Sequence, residues 1–110
     1  MEKVIFAAIF LMAGSAWAHE TATGFQYDRY CCNGDGKAGD CQMISNQAVS
    51  LIHEGYRVVL SPGDHRLVTR PHVFVVPSTR AMRSPDGSYH LCLFPNEDTV
   101  RCFYAPPLGF

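Results

Sequence analysis

The chain has 110 residues, 47% of them hydrophobic and 17% charged, with a formal charge of -1, which leaves room for one domain and excludes an acidic disordered tail or a generally basic nucleic-acid binder. Five cysteines in so short a chain point to a small fold stapled by disulfides in an oxidising compartment.

In chain order, Met1, Glu2 and Lys3 precede the apolar run from Val4 to Ala13, and Ala16-Trp17-Ala18 fits the small-x-small pattern of a signal-peptidase site. Residues 1–18 therefore read as a signal peptide cleaved after Ala18, and residues 19–110 as a single exported domain. The run stops at Gly14-Ser15, short of the roughly twenty apolar residues that a membrane-spanning helix needs, so an integral membrane protein is not expected. A domain of this size has a marginal core, and disulfides contributing about 2–4 kcal/mol each are the usual remedy.

Beyond a polar start, Tyr27 to Tyr30 leads into Cys31-Cys32, and the stretch from Asn33 to Asp40 is too rich in glycine for a helix or strand and reads as a loop closed by Cys41. Ser45 or Asn46 can cap a short helix with Ala48, Leu51 and Ile52 on one face and Gly55 as its left-handed stop. From Tyr56 the pattern is that of strands: Tyr56 to Leu60, the turn Ser61-Pro62-Gly63-Asp64, His65 to Thr69, and Val73 to Val76 closed by Pro77. Ser84-Pro85-Asp86-Gly87 has the residue order of a type I turn. Tyr89 to Phe94 and Thr99 to Tyr104 then form a hairpin around Pro95-Asn96-Glu97-Asp98. The expected fold is α+β and mostly β: a small disulfide-stapled domain with one short helix and about five antiparallel strands.

Two bridges drawn from Cys31, Cys32, Cys41, Cys92 and Cys102 can be arranged in fifteen ways, and sequence alone selects none. Adjacent Cys31 and Cys32 rarely bond each other, because consecutive residues cannot meet bridge geometry without strain. In an extended segment their side chains point to opposite faces. One of them can then close the glycine-rich loop onto Cys41 while the other reaches Cys92 or Cys102.

Metal and catalytic readings find little support. Tetrahedral zinc favours paired Cys-x2-4-Cys units, which the cysteines do not form, and His90 alone does not complete such a set. Asn33, Asp35 and Asp40 do not follow the ligand order of a calcium loop. No Cys-x-x-Cys redox motif and no G-x-S-x-G elbow is present. No metal and no cofactor is expected. His90-Leu91-Cys92 reads as a strand with alternating faces before it reads as a Cys-His nucleophile.

Between Gly55 and Arg83 lie Arg57, Arg66, Arg70, Arg80 and Arg83 against Asp64 alone. If the central strands present these guanidinium groups, Arg57, Arg66 and Arg70 are the candidate binding residues. Arg66 and Arg70 would share a strand face, and their partner would be an anionic envelope component or an acidic protein.

Tyr27-Asp28 before Cys31-Cys32, Asp40-Cys41, Gly55 to Val58, Ser84 to Gly87 before His90-Leu91-Cys92, and Arg101-Cys102-Phe103 before Pro106-Pro107 resemble an uncharacterised family of small exported proteobacterial proteins. That resemblance implies export to the periplasm or beyond a Gram-negative cell and a disulfide framework, and implies no activity. The function expected is a non-enzymatic binding or accessory module, such as an inhibitor, an immunity-type protein or an envelope protein. The alternative is a small secreted hydrolase or metal-dependent enzyme using His72 or His90.

Overall fold

A computed structural model of the chain describes residues 25–32 and 39–107. The signal-peptide segment and most of the glycine-rich loop lie outside these residues. The elements run β1 (Cys41–Ile44), a 3-10 turn (Asn46–Ala48), β2 (Val49–Ile52), β3 (Gly55–Leu60), β4 (His72–Pro77), a second 3-10 turn (Ser78–Arg80), β5 (Ala81–Arg83), β6 (Tyr89–Leu93) and β7 (Val100–Ala105). They form a four-stranded sheet, β1-β6-β7-β5, and a three-stranded sheet, β2-β3-β4. Among the described residues no helix is long and apolar enough to cross a membrane.

The fold is thus mostly β, and the expected short helix is absent from the described residues. Ser45 does cap, accepting a hydrogen bond from the Gln47 N–H at 3.0 Å, but the helical turn that it starts is only three residues long. Val49 to Ile52 then form β2 and pair with β3 across the turn His53-Glu54. So short a helix would have closed few hydrogen bonds for the backbone freedom lost, whereas Val49 and Ile52 are β-branched and the strand has a ready partner.

Two further differences concern the strands. His65 to Thr69 is a run of turns, because Arg66 and His65 are drawn toward β1 and β6 by side-chain hydrogen bonds in place of a ladder. Pairing is not antiparallel throughout, since β5 joins β7 in parallel, with Ala81 opposite Phe103 and Arg83 opposite Ala105. The 3-10 turn after Pro77 carries the chain from one sheet to the free edge of the other.

Burial follows from how the layers stack. The inner face of the three-stranded sheet, with Tyr56, Val58, Leu60 and Val76, packs on Leu91, Leu93, Phe103 and Ala105 of the four-stranded sheet. The other face of that sheet carries Cys41, Cys92, Cys102 and Tyr104, and it is covered by Tyr27, Cys31 and Cys32. Strands β6 and β7 are therefore almost continuously buried, as a strand covered on both faces should be.

Strand register decides the disulfides. Cys41 pairs with Cys92 and Cys92 with Cys102 across three neighbouring strands, so all three sulfurs stand on one face. Cys41 bonds Cys92, and Cys102 reaches across to Cys31 in the covering segment. The reading in which Cys31 or Cys32 closes the loop onto Cys41 is thereby corrected, because Cys41 already faces Cys92 within the ladder. Cys32 is buried and belongs to neither bridge.

Candidate functional site

Among the described residues the three-stranded sheet is covered on one side only. Period-two alternation places Tyr56, Val58 and Leu60 inward and Arg57 and Val59 outward on β3, and it places Val76 inward and Val73 and Val75 outward on β4. Register then joins the outward residues, with Arg57 opposite Val75 and Val59 opposite Val73. Val59, Val73 and Val75 are 46%, 64% and 55% exposed. Scattered exposed valines need no explanation, but a contiguous apolar patch with a cation at its corner is the composition of a recognition surface. Arg57 forms no ion pair among the described residues.

The other two arginines of the expected cluster lie elsewhere. The Arg66 guanidinium donates to the carbonyls of Gly39 at 2.8 Å and Cys41 at 3.0 Å, and its backbone N–H donates to Gln42 Oε1 at 2.7 Å. Its work is to hold the start of β1 against the β3–β4 connection. Arg70 pairs with Glu97 at 3.3 Å and with Asp98. The shared strand face of Arg66 and Arg70 does not exist, because the segment between them turns, and both guanidinium groups are committed within the chain.

Arg70 belongs to a second polar cluster. The Glu97 carboxylate accepts hydrogen bonds from the Thr69 N–H at 2.8 Å, Thr69 Oγ1 at 2.5 Å and His72 Nε2 at 2.8 Å. The Thr69 hydroxyl and N–H, then His72, lower its pKa from the ordinary 4.5 to about 2. His72 also stacks on Phe74, with ring centroids 5.2 Å apart. This cluster ties the β3–β4 connection to the β6–β7 hairpin.

His90 is fully buried in a third polar group. Its Nε2 lies 3.0 Å from both oxygens of Asp86, and its Nδ1 lies 3.0 Å from Tyr27 Oη. The carboxylate assigns the ring proton to Nε2, so Nδ1 accepts from the Tyr27 hydroxyl. The turn that begins at Ser84 positions Asp86, whose Oδ1 also accepts from Ser84 Oγ at 2.7 Å and the Ser88 N–H at 3.0 Å. Phe25 and Tyr104 pack edge-on around the ring. Burial pushes the Tyr27 phenol pKa well up, reinforced by Cys32. His72 and His90 are not brought together: each serves its own cluster, with both ring nitrogens of His90 engaged.

His65 belongs to no motif in the sequence, yet it is a buried anchor. Nε2 lies 3.1 Å from the Asp40 carbonyl and 3.0 Å from the Leu91 carbonyl, while Nδ1 accepts from the Leu67 N–H at 3.2 Å. The neutral ring satisfies three backbone groups, and burial lowers its pKa. No spacing in the sequence marks this residue, because its partners lie 25 and 26 positions away. Among the described residues no group of three or more His, Cys, Asp or Glu side chains is placed to hold a metal ion. Comparison with family models, with curated proteins and with solved structures finds no match to this chain.

Proposed function

We propose that the chain is an exported binding module that engages an acidic protein surface through the outward face of β2-β3-β4. The observation that carries this reading is the contiguous exposed patch of Val59, Val73 and Val75 beside the guanidinium of Arg57, which forms no ion pair among the described residues. Apolar contact supplies the affinity, and the Arg57 fork selects a carboxylate at the rim. Arg66 and Arg70 support the scaffold and take no part in recognition. Two disulfides in a small domain fit an exported location.

Arg57→Glu combined with Val59→Ser tests the reading. Both residues lie on the central strand with outward side chains, so the fold should keep its thermal midpoint while partner capture from an envelope extract is lost. Capture by the wild type should also weaken at high salt, since exposed charge pairs fade over about 8 Å at physiological ionic strength. Recovery of the same proteins by wild type and double variant at both salt concentrations would refute the proposal.

A further inference from the structure

At one end of the three-stranded sheet the inner face runs past the packed core. Leu51 lies opposite Tyr56 in the β2–β3 register, so both side chains stand on that inner face. Tyr56 is only 7% exposed, with its ring centroid 5.1 Å from that of Phe103 and 6.2 Å from that of Tyr89. Leu51 is 59% exposed, because on β2 only Val49 packs on the core between the sheets. A cavity of about 260 Å³ opens there, lined by Leu51, Ile52, His53, Tyr56 and Ser78.

A second cavity, of about 220 Å³, shares Tyr56 and Ser78 as walls and is also lined by Arg83. Alternation along β5 brings the arginine there. Ala81 packs on the core between the sheets and Met82 on the cysteine side, so Arg83 returns to the side of Ala81. Leu51 and Ile52 line only the first cavity and Arg83 only the second, so Tyr56 and Ser78 join an apolar lobe to a cationic one. Together the lobes fall within the roughly 300–1,000 Å³ of small-molecule sites. No Asp or Glu lines either of them.

The polar groups of this groove are unmatched within the fold. Tyr56 Oη forms no hydrogen bond among the described residues, although the residue is more than nine-tenths buried. Ser78 Oγ forms none, and the Arg83 guanidinium forms neither a hydrogen bond nor an ion pair among them. Buried hydroxyl groups are as a rule hydrogen-bonded, and with the Tyr56 ring packed on Phe103 and Tyr89, the cavities that it lines are where a partner can enter.

We infer that this groove binds a small aliphatic carboxylate, its anionic head held by Arg83, Tyr56 Oη and Ser78 Oγ and its tail laid along Leu51 and Ile52. The lining residues select that class. Arg83 brings one fixed positive charge, which a carboxylate matches and a phosphate dianion exceeds. Its planar fork offers paired donors to two carboxylate oxygens, and the two hydroxyl groups donate to the lone pairs that remain. Leu51 and Ile52 add apolar surface that only a ligand with a tail can cover. The groove lies on the inner face at the end of the sheet, so this inference stands apart from the role proposed for the outward valines and Arg57.

Titration of the purified, oxidised protein with octanoate, followed by NMR, reads the site directly. The Tyr56 and Ser78 amides and the Leu51 methyl groups should shift saturably, with a Kd of about 1 mM or below. Acetate, which has no tail, and octanol, which has no charge, should each bind about tenfold more weakly or worse. Arg83→Gln should weaken octanoate about tenfold and leave octanol unchanged, a difference that lost packing would not produce. Tyr56→Phe keeps the ring and removes the hydroxyl, and should weaken octanoate about threefold or more. Arg29→Gln, an exposed arginine outside the groove, should bind octanoate as the wild type does. The inference is overturned by the absence of saturable shifts up to about 10 mM octanoate. It is equally overturned by equal affinity for octanoate and octanol, by octanoate binding that Arg83→Gln leaves intact, or by a loss that Arg29→Gln shares. Octanoate binding by a chain ending at Pro107 and not by the full chain would assign the groove to residues 108–110 and overturn it as well.

Discussion

Gly55 offers the sharpest check on the architecture, because two structural readings of it predict opposite orders among its variants. As the left-handed stop of a helix it would accept Asn nearly as well as Gly, and Ala at a cost of about 1 kcal/mol. In the structure it begins β3, opposite Pro77, and a Cβ built on it would lie 2.2 Å from the Val76 carbonyl oxygen, 2.6 Å from the Ser78 nitrogen and 2.9 Å from the Pro77 carbonyl carbon. All three are backbone atoms, so no side chain can swing aside. The strands must separate at that end by more than an ångström. Overpacking of this kind costs about 1–3 kcal/mol. The Ser78 to Glu54 hydrogen bond, which closes the same end of the ladder, adds about 1 kcal/mol if it breaks. Gly55→Ala should therefore destabilise by about 2–4 kcal/mol, and each kcal/mol lowers the midpoint by about 4–8 °C in a domain of this size. Gly55→Asn carries a larger side chain into the same backbone and should be at least as damaging. Thermal unfolding followed by circular dichroism with the disulfides intact measures both, with Val59→Ala as an exposed control expected to stay within about 0.5 kcal/mol of wild type. An Asn variant more stable than the Ala variant, or an Ala variant indistinguishable from wild type, would refute the close approach of β3 and β4 at this point.

Tyr27→Phe removes the donor to His90 Nδ1 and leaves a buried acceptor unsatisfied, so it should cost about 1–3 kcal/mol in chemical denaturation; an unchanged midpoint would show that the hydroxyl is not part of the buried network. Glu97 predicts a dependence on acid: its carboxylate is held at about 2 against an ordinary 4.5, so its contribution is present above about 4.5 and is lost as pH falls through about 2. The midpoint of wild type should fall more steeply across that window than that of Glu97→Gln, and parallel curves would remove Glu97 from the account.

A bridged core and most of the β pattern are legible in the residues themselves, because each is a local or compositional property. Strands β3, β4, β6 and β7 are visible as β-branched and aromatic runs, bounded by turns such as Ser61 to Asp64 and Ser84 to Gly87. The cysteine count announces bridges. Their pairing is a tertiary matter, since Cys92 lies between Cys41 and Cys102 in the sheet and only strand order places Cys31 above Cys102. The segment around Ala48, Leu51 and Ile52 suits a helix by spacing and a strand by residue type, and the open side of β3 settled it. Arginines that look like one charged cluster in the sequence separate because the turn after Leu60 sends Arg66 to the carbonyls of Gly39 and Cys41 and Arg70 to Glu97 and Asp98. His65 and His90 acquire their roles from partners that only folding brings near. Short-range preference acts between neighbours in the chain and can be read there, whereas hydrogen-bond satisfaction and disulfide geometry depend on distances between strands, which exist only once the sheets have formed.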